Sequence, residues 1–162
     1  VDLEKMPKVG DFAPDFILPD DAGNMLRLSE LCRERAILLL FYPADFGMIC
    51  SIQMGELRDM YEEFLAAGVM VLPLGTNSVR SHAAWKESMR LPFPLLADED
   101  GAVTGEWKMA CDNDDLLRNR ACRGAFIIDR HMTVRYRWIP PTPHQGPDVP
   151  LLLREATAIA KR

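Results

Sequence analysis

The apolar and polar positions of this chain change period several times, and each change marks an element. Phe16-Ile17-Leu18-Pro19 reads as a short strand, Asp20 to Asn24 as a turn, and Met25 to Leu28 as the hairpin partner. Ser29 is placed to cap a short helix reaching Cys32. Ala36 to Tyr42 is unbroken in apolar character, as in a strand buried on both faces. From Cys50 to Ala67 the period becomes helical, with Met54, Leu57, Met60, Tyr61, Phe64 and Leu65 on one face, and Gly68 ends the run. Val69 to Leu74 is a second buried strand. A helix capped by Asn77 or Ser78 follows and runs to about Met89. Leu95 to Ala97 is a short strand, and Gly101 to Trp107 is helical.

Lys108 to Arg123, with its Asp112-Asn113-Asp114-Asp115 cluster, lacks a clear period and reads as a loop with room for a helical turn. Gly124 to Asp129 and Thr133 to Trp138 form a hairpin. A proline-rich connection from Pro140 to Pro150 leads to a closing helix over Leu151 to Lys161. Strands alternating with helices predict an α/β domain with a central sheet flanked by helices, parallel where helices connect the strands and antiparallel at the last hairpin. All 162 residues are expected in one domain.

Composition narrows the function. The hydrophobic fraction of 48% is enough for a packed core, and the net charge of −5 disfavours nucleic acid and anionic membrane surfaces as partners. No apolar run reaches membrane-spanning length, and the opening Val-Asp-Leu-Glu-Lys-Met-Pro lacks the pattern of a signal peptide. Four cysteines (Cys32, Cys50, Cys111, Cys122) in a chain this long point to reduced thiols in a cytoplasmic protein rather than a disulfide scaffold. Scattered histidines and the lack of a Cys-x-x-Cys pair argue against a metal site, and nothing calls for a cofactor.

The chemistry concentrates where the central strand runs into Tyr42-Pro43 and, after a short loop, Cys50 opens a helix. The free N–H groups of a first helical turn favour negative charge, and the thiolate is the nucleophilic form of cysteine. A reactive cysteine is therefore expected at position 50.

Phe41-Tyr42-Pro43-Ala44-Asp45-Phe46 and Cys50 resemble the peroxiredoxin family, whose pattern is Pro-x-x-x-Thr-x-x-Cys at the end of a central strand. The likeness continues through Gly10-Asp11-Phe12-Ala13-Pro14-Asp15-Phe16, the Asn77-to-Trp85 helix with His82, Phe93-Pro94-Leu95-Leu96-Ala97-Asp98, and Arg123-Gly124-Ala125-Phe126-Ile127-Ile128-Asp129. It implies a thioredoxin-like fold with peroxiredoxin insertions and a thiol-dependent peroxidase acting on hydrogen peroxide or small organic hydroperoxides. In that role Cys50 attacks and becomes a sulfenic acid. Arg123 supplies a cation and fixed donors, and Pro43 shapes the loop and shields the sulfur. His82 and Trp85 are expected to pack beneath.

Two positions depart from the family. Gly47 replaces the threonine whose hydroxyl serves thiolate and peroxide, a loss of about 10²–10³ in rate for one oriented donor. Gln53 stands where many members have glutamate. These departures keep a second reading open: a weakly active or non-catalytic redox sensor or binding module on the same fold. A cysteine five residues after Cys50 is excluded by Gly55, which leaves Cys111, Cys122 and Cys32 as candidates to resolve the sulfenic acid. The default is a one-cysteine mechanism using an external thioredoxin-like or low-molecular-weight thiol. The resemblance also implies a homodimer or higher homo-oligomer.

Overall fold

The computed structural model describes residues 2–111, 119–142 and 144–161. The cluster from Asp112 to Asp115 lies outside them. A five-stranded mixed sheet of order β5-β4-β3-β6-β7 forms the centre. It comprises β3 (Ala36–Phe41), β4 (Val69–Gly75), β5 (Leu96–Ala97), β6 (Gly124–Ile128) and β7 (Val134–Trp138). A separate antiparallel hairpin joins β1 (Ile17–Pro19) to β2 (Met25–Arg27).

The continuous apolar run at Ala36 takes the middle of the sheet. There β3 pairs in parallel with β4 from Ala36↔Val69 to Phe41↔Leu74, and antiparallel with β6 on its other side. Every residue of β3 is buried, and alternate residues feed opposite cores. Ile37, Leu39 and Phe41 pack with Phe16, Leu28, Trp107 and Phe126. Ala36, Leu38, Leu40 and Tyr42 pack with Met54, Leu57, Phe64, Trp85 and Leu152. The helices are α1 (Leu28–Leu31), α2 (Met48–Asp59), α3 (Tyr61–Ala66), α4 (Val79–Met89), α5 (Ala102–Glu106) and α6 (Val149–Ala160). Of these, α2, α3, α4 and α6 supply the second core, and α1 and α5 the first. This is the mixed sheet with helices on both faces expected of a thioredoxin-like fold.

Four local expectations are corrected. The helix expected from Cys50 to Ala67 begins at Met48, so Cys50 is its third residue, and it is interrupted at Met60 (φ −104°, ψ 5°). Leu57 and Phe64 on either side of the break are still both fully buried, which is why the apolar period runs through it. Ser29 does not cap α1; it sits inside the helix, and Asp15 accepts from both its N–H (2.9 Å) and its hydroxyl (2.8 Å). Burial opposes the charge on Asp15, but these bonds, the Phe16 N–H and Arg27 outweigh it and hold the carboxyl below its usual range. The closing helix starts two residues early, because Asp148 accepts from the Leu151 N–H as its N-cap. The loop expected over Lys108 to Arg123 contains paired backbone: Ala110 bridges Ala121, flanked by Cys111 N–H to Arg120 O and Cys122 N–H to Met109 O.

Gly68 and Gly75 are among the positions where geometry requires glycine. Gly68 adopts φ +79° behind α3. Gly75 meets the ring of Tyr42, which would lie 2.9 Å from an added Cβ. That approach seats Tyr42 at the C-terminal end of β3, where the site begins.

Candidate active site

The segment from Tyr42 to Gly47 leaves β3 and turns back into α2. Its anchor is Asp45, a side chain to which the sequence alone assigned no role. One carboxylate oxygen accepts from the Tyr42 hydroxyl at 2.7 Å. The other accepts from the Ser81 hydroxyl at 2.8 Å and faces His82 Nδ1 at 2.7 Å. The Asp45 N–H donates to Asn77 Oδ1 at 2.9 Å. His82 Nε2 lies 3.0 Å from the Leu96 carbonyl and must carry a proton to bond it, so a further proton lies between Nδ1 and Asp45. His82 is thus buried beneath the loop as expected, and Ser78 rather than Asn77 caps α4. Burial first, then the charge of Asp45, pushes the Tyr42 phenol well above its usual range, so it remains a donor.

This anchoring holds Phe46 at φ +64°, a left-handed conformation that costs a bulky side chain about 1–2 kcal/mol. The Phe46 ring lies 6.3 Å from that of Trp85, which in turn is 5.3 Å from Tyr42. With the turn made at Phe46, Gly47 is left in an ordinary extended conformation (φ −66°, ψ 146°) as the N-cap of α2. Gly47 lacks a side chain to cap with. Its α-carbon nonetheless points beside the sulfur: an added Cβ would lie 3.6 Å from Cys50 Sγ.

Cys50 is 2% exposed. Arg123, just before β6 and 4% exposed, reaches it from the neighbouring strand: Nη1 is 3.3 Å from Cys50 Sγ and donates to Gln53 Oε1 at 2.7 Å. Gln53 follows Cys50 by one turn of α2, so the two share a face. Arg120 Nη1 points to the Pro43 carbonyl at 3.4 Å, tying the loop to the segment that carries Arg123. The structure therefore brings Cys50, Arg123 and Gln53 into contact, with Gly47 beside the sulfur and Pro43 in the loop above.

The other cysteines stand differently from expectation. Cys111 and Cys122 form a disulfide with each other, so neither is a free thiol, and the pair departs from the reduced state expected of all four. Residue alternation explains the placement. Arg123 points toward the core that contains Cys50, so Cys122 points to the opposite core, together with Cys111. Cys32 lies in that same opposite core. Burial, with the charges of Asp129 and Asp15, pushes its thiol up to about 12, which keeps it protonated and inert. Among the described residues no cluster of three His, Cys, Asp or Glu side chains could hold a metal, and no helix is long and apolar enough to cross a membrane.

Known proteins resemble this chain along most of its length. The AhpC/TSA family profile matches residues 9–137. A Coxiella burnetii protein bearing the bcp peroxiredoxin name is 33% identical over 133 residues, 81% of this chain and 87% of that protein. Peroxiredoxin Q of Oryza sativa subsp. japonica, a chloroplastic protein, is 33% identical over 146 residues; the match covers 88% of this chain and 65% of the rice protein. Among solved structures, peroxidoxin BcpB of Mycobacterium tuberculosis superimposes with a TM-score of 0.84 at 28% identity, covering 94% of this chain and 98% of that one.

Proposed function

The chain belongs to the AhpC/TSA family of peroxiredoxins, thiol-dependent peroxidases, and we propose that it reduces hydrogen peroxide or small organic hydroperoxides through a sulfenic acid at Cys50. The observation that carries this reading is the 3.3 Å approach of Arg123 Nη1 to Cys50 Sγ, between residues 73 apart in sequence.

The Cys50 thiolate attacks the nearer peroxide oxygen. The S–O bond forms as the O–O bond breaks, and the departing hydroxide or alkoxide takes a proton to leave as water or alcohol. Negative charge moves from sulfur to the leaving oxygen during the step. A guanidinium already against the sulfur sits close to both ends of that movement and needs little reorganisation. The Gln53 carbonyl holds the guanidinium in place. An external thiol then condenses with the sulfenic acid, releasing water and leaving a mixed disulfide. A second thiol displaces Cys50 from it. The pairing of Cys111 with Cys122 in the opposite core, and the protonated state of Cys32, support this one-cysteine route.

We include a second copy of the chain among the partners: Phe46, Met48 and Ile52 are exposed large apolar side chains at and just before the start of α2, the kind of surface that association covers. Sedimentation at micromolar concentration reads this directly.

The activity is tested by peroxide consumption with dithiothreitol or thioredoxin as reductant. The wild type turns over and Cys50→Ser does not; a Cys50→Ser variant that retains turnover overturns the assignment. Gly47 favours the sensor reading as a second possibility. It predicts stoichiometric oxidation of Cys50 without multiple turnover in the same assay.

A further inference from the structure

Gln53 is 2% exposed and has two functional ends. A guanidinium can only donate hydrogen bonds, so the amide atom 2.7 Å from Arg123 Nη1 must be the oxygen, and the orientation of the side chain is settled. Nε2 is then the end that makes no bond to Arg123. It is buried and has no acceptor among the described residues. A buried amide N–H without a partner is costly and uncommon, and it calls for an acceptor that arrives in the working state.

The chemistry at Cys50 supplies such acceptors. Two peroxide oxygens enter next to a sulfur that shares the same arginine nitrogen with Gln53, and one of them stays as the sulfenic oxygen. The same site lacks a hydroxyl at Gly47, whose α-carbon points beside the sulfur. Resting on the peroxidase reading above, we propose that Gln53 is a catalytic residue whose Nε2–H donates to a peroxide oxygen at Cys50, supplying the donor that the side-chain-free position 47 cannot. Its oxygen positions Arg123 at the same time. A glutamate in this place would do only the second task, because an ionised carboxylate accepts and never donates.

Gln53→Glu therefore separates the two tasks: it keeps an acceptor for Arg123 and removes the donor. Rates of Cys50 oxidation by hydrogen peroxide and of Cys50 alkylation by iodoacetamide are measured near neutral pH by stopped flow and mass spectrometry. Alkylation reports the thiolate and needs no donor to oxygen, so the ratio of the two rates isolates the peroxide step. The expected result is a fall of that ratio by about 10²-fold in Gln53→Glu, as for other single oriented donors. Most of it should return in the Gly47→Thr/Gln53→Glu double variant. If Gln53→Glu does not fold, Gln53→Met reads the same ratio and should fall at least as far. A ratio held within about twofold of wild type overturns the proposal. So does a gain from Gly47→Thr that is equal in both backgrounds, since the hydroxyl and the amide would then act independently. A wild-type protein that is alkylated at Cys50 yet ignores peroxide overturns the peroxidase reading itself, and the donor assignment with it.

Discussion

Gly47→Thr puts a side chain where the family has one, and the structure sets its consequences for stability and rate separately. The backbone at Gly47 (φ −66°, ψ 146°) is open to a β-branched residue. The left-handed turn belongs to Phe46, one residue earlier. An added Cβ meets the Ala44 carbonyl oxygen at 3.4 Å, Cys50 Sγ at 3.6 Å and Cys50 Cβ at 3.8 Å, all ordinary contacts. Replacing glycine in a compatible conformation removes freedom from the unfolded chain, worth about 0.4–1 kcal/mol. The N-cap position gains at most a few tenths more, because threonine and glycine rank close together there. The sum is about 1 kcal/mol, a rise in Tm of about 2–4 °C for a chain of this size. The hydroxyl, one bond beyond a Cβ already in contact with Sγ, reaches the sulfur or a bound peroxide. With Gln53 still donating, we expect the peroxide rate to rise by no more than about tenfold, against about 10²-fold for a site with no donor in place. Calorimetry gives the Tm and stopped-flow oxidation gives the rate. A Tm lowered by more than about 2 °C would refute the claim that the loop accepts a Cβ. A gain of about 10²-fold in the otherwise wild-type protein would refute the claim that a donor was already present.

Arg123→Met should slow peroxide reduction by about 10²–10³-fold by removing the cation at the sulfur. It should also cost about 1–3 kcal/mol in urea melts, because Gln53 Oε1 loses its donor in a buried site; Arg123→Lys should recover part of the rate. His82→Leu removes the ring nitrogen that faces Asp45 at 2.7 Å and leaves a buried carboxyl oxygen short of a partner, which should destabilise the fold by about 1–3 kcal/mol, read by denaturant titration. Cys32, with its thiol raised to about 12, should resist iodoacetamide in the native protein while Cys50 is labelled, as peptide mapping will show. A raised folded value stabilises the native state in full below the ordinary thiol value of 9.0. That contribution should therefore decline as pH rises from there toward about 12, a loss that Cys32→Ala should abolish in alkaline melts.

Much of the architecture was open to a reading along the chain, because its causes are local. The apolar run at Ala36 reads as a strand covered on both faces, and the structure places it at the centre of the sheet. The passage from Tyr42-Pro43 into a helix identified Cys50 as a sulfur at a helix N-terminus without any knowledge of its neighbours. The features that were missed depend on distant partners. The Met60 break has no glycine or proline to announce it, and the apolar period runs through it. Ser29 is held by Asp15, 14 positions away. The union of Cys111 and Cys122 follows from a backbone bridge between two stretches that lack any period.

The site divides in the same way. Residue types and spacing within 42–53 determined which atoms could be nucleophile, cap and acceptor, since a thiol, a glycine and an amide carry those capacities wherever they stand. Only the tertiary structure decided which of them meet. The pairing of β3 with β6 carries Arg123 across 73 positions to Cys50. The packing of α4 under the loop turns Asp45 into an anchor, with His82 37 positions away. The strain this anchor holds at Phe46 is what leaves Gly47 in an ordinary conformation, a sign of φ that the letter G by itself leaves open. Composition and period act through forces each residue feels from its near neighbours, whereas a hydrogen bond between buried groups exists only once the whole sheet has closed around it.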